Sequence, residues 1–75
     1  MKNIEYGRLR KCSDINMEHP FFEFVDENED ILFDIARSDT NEIRIQFYDG
    51  VRSKSMSIDM FEKLIKEAKQ ELMEA

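Results

Sequence analysis

The chain has no tryptophan, one proline, two glycines, one cysteine and one histidine in 75 residues. Each scarcity removes a class of chemistry. A single cysteine, Cys12, forms no internal disulfide and fits a reducing compartment. A structural zinc site needs more soft ligands than Cys12 and His19 supply. Gly7 and Gly50 stand far apart, so no glycine-rich phosphate loop is available. Apolar runs fall far short of the roughly 20 residues that span a bilayer. The first residues lack the apolar stretch of a signal peptide, and a cytoplasmic location is expected.

What is present is acid, phenylalanine and alternation. Six Phe and two Tyr, with an apolar fraction of 41%, argue against wholesale disorder. A chain of this length is expected to form one domain, 1–75, with a thin core, for which self-association is one available source of further stability. Formal net charge is −6. The acids concentrate in residues 12–34, which hold no Lys or Arg. That distribution disfavours nucleic acid as a partner and favours a basic protein surface.

Residues 42–72 organise the rest. Residues 42–48 alternate, with Ile43, Ile45 and Phe47 on one face. Asp49-Gly50 interrupts, and 51–57 is a second extended run. A two-residue turn would put Arg52 and Lys54 on the buried face, so a three-residue loop with left-handed Gly50 is expected instead. That register points Val51, Ser53 and Ser55 toward a helix, and Arg52, Lys54 and Met56 outward. Ser57 is the expected N-cap. Ile58, Phe61, Ile65, Ala68 and Leu72 form the apolar stripe of a helix over 58–72, widened by Leu64.

Upstream, 4–12 reads as a strand in which a bulge at Gly7 returns Leu9 to the inner face. Residues 13–20 form a loop ending at His19-Pro20. Strand 21–25 turns Phe22 and Phe24 inward. Strand 31–36 turns Ile31, Phe33 and Ile35 inward, leaving Phe21, Val25 and Leu32 on the other side. The expected fold is α+β: an antiparallel meander of four to five strands with one C-terminal amphipathic helix on one face.

No motif carries catalysis or a cofactor. Asp26-Glu27-Asn28-Glu29-Asp30 opens like a calcium loop, but Ile31 stands where glycine is needed and Arg37 where glutamate is needed. A Cys12–His19 dyad can be drawn across the intervening loop, but nothing flanking it resembles an oxyanion hole or a nucleophile elbow, so a buried structural Cys and a loop His are expected. Arg44, Gln46, Tyr48, Arg52 and Lys54 interleave basic and aromatic residues, the elements of a single-strand nucleic-acid face, without an RNP-like pattern. The most suggestive constellation is acidic with apolar anchors: Phe21, Glu23, Asp26, Glu27, Glu29, Asp30 and Leu32. It suits a non-catalytic binding module that occludes a basic partner, as an inhibitor or toxin-immunity protein does. The alternative is a structural or regulatory homo-oligomer that buries the outward apolar residues of the second and third strands.

Overall fold

The computed structural model describes residues 2–16 and 18–74, with the backbone alone at Glu74. Strands β1 (Lys2–Ile4), β2 (Gly7–Cys12), β3 (Phe21–Asp26), β4 (Ile31–Arg37), β5 (Ile43–Phe47) and β6 (Lys54–Met56) precede helix α1 (Ile58–Glu74). β2–β3–β4–β5 form an antiparallel sheet in chain order, and β1 pairs with β6 in a separate parallel pair. The α+β expectation therefore holds, with four meander strands and one helix.

Alternation explains the core. Phe22 and Phe24 of β3 face Ile35 and Phe33 of β4 in register, and all four are buried. Leu32 and the helix residues Ala68 and Leu72 complete that cluster. Ring centroids lie 4.9 Å apart for Phe24–Phe33 and 5.8 Å for Phe33–Phe61. Tilted and edge arrangements of this kind add about 0.5–1.5 kcal/mol beyond area burial. Ser57 caps α1 as expected, its hydroxyl accepting from the Met60 N–H at 3.0 Å. Ile58, assigned to the buried stripe by its spacing, is exposed.

Three expectations need correction. First, 4–12 is two strands: the chain leaves β1 after Ile4 and enters β2 at Gly7. Gly7 is required for closeness, because a Cβ there would sit 2.2 Å from the Phe24 ring. Second, Val25 and Leu32 are buried, not outward. The register shifts between Phe24 and Val25, as at a bulge, and Leu32 lies beneath the turn that follows β5.

Third, the hairpin does not form. Asp49–Val51 is a short 3-10 helix, held by Val51 N–H to Tyr48 O and Arg52 N–H to Asp49 O. Gly50 has no positive φ, whereas Ser53 does, at 63°. The following strand turns away from β5 and joins β1, in register Lys2↔Lys54, Asn3↔Ser55 and Ile4↔Met56. A hairpin partner built from Arg52, Ser53, Lys54 and Ser55 has little apolar surface to bury. The parallel pair gives these polar groups partners: Ser55 Oγ donates to Asn3 Oδ1, and Lys54 reaches Asp26.

Candidate functional site

With α1 on one face, the opposite face of the sheet presents Arg10 and Cys12 from β2, Phe21 and Glu23 from β3, Asp34 and Ala36 from β4, and Arg44 and Gln46 from β5. Cross-strand register aligns them in rows: Arg10, Glu23, Asp34, Gln46 and then Cys12, Phe21, Ala36, Arg44. Glu23 and Asp34 are thus direct neighbours of like charge, an arrangement that is unfavourable unless each has a partner. Arg10 donates to Glu23 Oε1 through Nε at 3.2 Å and Nη2 at 2.7 Å. Cys12 Sγ donates to the same oxygen at 3.2 Å. Tyr48 OH donates to Asp34 Oδ2.

These contacts set the protonation chemistry. The hydrogen bond from Arg10, then that from Cys12, holds the Glu23 carboxyl below its ordinary value. Burial first, and the Glu23 carboxylate second, raise the Cys12 thiol. A thiol kept protonated is a poor nucleophile. Its bonded neighbours are Glu23 and the Arg10 carbonyl, and no bond to His19 is made. Tyr48 is pushed up to about 12, chiefly by its bond to Asp34.

The acidic turn is organised differently from a solvated loop. Asp26 is buried, at 5% exposure. Its Oδ1 accepts from the N–H groups of Asn28 (2.9 Å) and Asp30 (3.0 Å), and its Oδ2 accepts from Lys54 Nζ at 3.1 Å. Burial is the largest influence on this carboxyl and favours the neutral acid. The Asp30, Lys54 and Asn28 donors and the lysine charge together outweigh it, so the carboxyl lies below its usual value. Both oxygens of the residue that would open a calcium loop are committed to protein donors. Glu29, at φ 66°, receives two parallel bonds from Arg8 at 3.1 Å, which lower its carboxyl.

The seven residues singled out by sequence therefore separate. Glu27, Glu29 and Asp30 are exposed on the β3–β4 turn; Phe21 and Glu23 are half-buried on the open sheet face. Asp26 and Leu32 are buried and present no surface, a correction to their place in that set. Of the apolar residues expected on the outward sides of strands two and three, Val25 and Leu32 are buried and Phe21 is half-buried. The basic-aromatic face does not assemble, because Lys54 is withdrawn into its ion pair with Asp26 while Arg52 is solvated.

One residue was missed. Tyr6 is 69% exposed and immediately precedes Gly7, whose register partner is Asp26. It is one residue from the position that pairs with Asp26, where the acidic turn begins. The signal in the sequence is an aromatic residue at the break in alternation just before Gly7.

Among the described residues, no group of three or more His, Cys, Asp or Glu could hold a metal ion, and no helix is long and apolar enough to cross a membrane. Comparison with protein-family models, with curated proteins and with solved structures yields no match.

Proposed function

We propose that this chain is a non-catalytic protein-binding module that occludes a basic surface on another protein, in the manner of an inhibitor or a toxin-immunity protein. The observation that carries the reading is the charge surplus and where it is free. Each internal ion pair consumes one charge of each sign, so six negative charges stay uncompensated however the 11 bases and 17 acids are arranged. Glu23, Asp26 and Glu29 are neutralised by Arg10, Lys54 and Arg8. Glu27 and Asp30 are exposed on the same turn and make no ion pair among the described residues. Tyr6 supplies the adjoining aromatic anchor, a residue type that concentrates binding energy when it enters a partner's pocket. The acids would speed association and set specificity more than they would add affinity.

The test is affinity purification of the full chain from its native cells, alongside Glu27→Gln/Asp30→Asn and Tyr6→Ala. A basic protein retained by the wild type, released as salt rises and lost with either variant supports the module. A set of bound proteins that does not distinguish the wild type from the variants ends the proposal.

A further inference from the structure

The two edges of the four-stranded sheet are unequal. β2 carries Arg8, Arg10 and Lys11, the charged edge that discourages strand addition. β5, Ile43-Arg44-Ile45-Gln46-Phe47, has no Pro, Lys or register break. Among the described residues, no strand pairs with its outer side. Ile43 and Ile45 are half-buried, and Phe47 is 54% exposed although its ring meets Phe33 at 5.9 Å. On the open face, a depression of about 400 Å3 lies along this edge, lined in part by Asp34, Ala36, Arg44 and Gln46.

The geometry points to a second copy of the chain as the occupant of this edge, adding its own β5 antiparallel to the first about a two-fold axis through Ile45. The sequence of β5 is its own complement in that register. Residues directly opposite share a face, so only registers that keep apolar residues with apolar residues are allowed. Centring on Ile45 sets Ile43 against Phe47 of the second copy and Ile45 against its equivalent, extending the apolar layer beside α1. On the other face, Arg44 meets Gln46 of the second copy.

Charge excludes the register centred one residue earlier, at Arg44 on the open face, which would oppose two arginines. Centring at Ile45 instead lays Arg44 of the second copy over Gln46 and toward Asp34. Asp34 adjoins Glu23, and among the described residues its side chain is bonded by the neutral Tyr48 hydroxyl alone. The guanidinium brings a cation to a pair of carboxylates that has only Arg10 between them. Arg44 gives up little to do so, since its own partner Glu42 is a solvent-exposed residue just before the strand. This isologous contact joins two four-stranded sheets into one of eight strands.

Residues 44 and 46 are both exposed, so the register can be tested without touching the core. Gln46→Arg places arginine against Arg44 of the second copy at two symmetric positions. Within the chain it places arginine beside Asp34, which favours the fold. Sedimentation of the full-length wild type should show a monomer–dimer equilibrium. Gln46→Arg should raise the dissociation constant by roughly tenfold. Arg44→Glu/Gln46→Arg should return it to within about threefold of wild type, because Glu then faces Arg at both positions. Thermal unfolding of dilute Gln46→Arg should be no lower than wild type. A chain monomeric up to about 1 mM, a dimer indifferent to Gln46→Arg, or a double variant that fails to recover overturns the assignment. Tyr6, Glu27 and Asp30 take no part in this contact, so its failure leaves the binding-module reading standing, and the reverse.

Discussion

Lys54 reaches back across 28 positions to bind Asp26, Nζ to Oδ2 at 3.1 Å, with both side chains withdrawn from solvent. The contact joins the end of β3 to β6 and so ties the small parallel pair to the main sheet. It also explains why the chain after Gly50 departs from β5, since the buried carboxylate needs a cation.

Removing that cation should be costly. Lys54→Met leaves Asp26 buried and charged without its partner, a change that typically destabilises by about 3–5 kcal/mol. Asp26→Asn in the same background should recover part of the loss, because Asn keeps the Oδ1 acceptor for the Asn28 and Asp30 N–H groups while dropping the charge. Urea unfolding of the two variants at neutral pH measures both. The sign of the acid response follows from the depressed carboxyl. Its stabilisation is present above the ordinary aspartate value of about 3.9 and is lost as pH falls through the lower folded value. The wild type should therefore show an acid-unfolding component below about pH 4 that Asp26→Asn/Lys54→Met lacks. Equal stability of Lys54→Met and wild type would show that the pair contributes nothing.

Gly7 and Phe24 make a second pairing that fixes the fold. Phe24 is fully buried, and its ring occupies the space that a Gly7 side chain would need. Gly7→Ala should cost about 1–3 kcal/mol, the usual penalty for overpacking a core. Phe24→Leu, destabilising alone, should be less so in the Gly7→Ala background. A double-mutant cycle by chemical denaturation reads the coupling. Strictly additive effects would mean that the ring and the glycine are independent.

These two pairings show what was legible in the sequence and what was not. Alternation located Phe22, Phe24, Phe33 and Ile35 on the buried face, because period two is a property of neighbours in the chain. Ser57 was legible for the same reason: a cap acts within one helical turn. The departure after Asp49-Gly50 was not, because the local pattern is compatible with a hairpin and the deciding contact lies at Asp26. Val25 and Leu32 were misplaced because a register shift within β3 and a covering turn after β5 both come from tertiary structure. The acidic run was legible as composition. Which of its members are free was not, since Arg8, Arg10 and Lys54 come from strands distant in sequence.

Tyr48 and Asp34 offer a spectroscopic handle on the open face. The phenol is held protonated up to about 12, mainly by its bond to the Asp34 carboxylate, with burial and the charges of Asp34 and Glu23 adding to it. A raised folded value means that the interaction stabilises the fold below the ordinary tyrosine value of about 10 and is lost as pH climbs through the folded one. Ultraviolet titration should show a late tyrosine transition, that of Tyr48, at about 12. Asp34→Asn removes the accepting charge and should bring this transition down toward the ordinary tyrosine value of about 10, while Glu23→Gln should move it less, since Glu23 acts only through space. A wild type with no tyrosine transition displaced toward about 12 would mean that the Tyr48–Asp34 bond does not persist in solution.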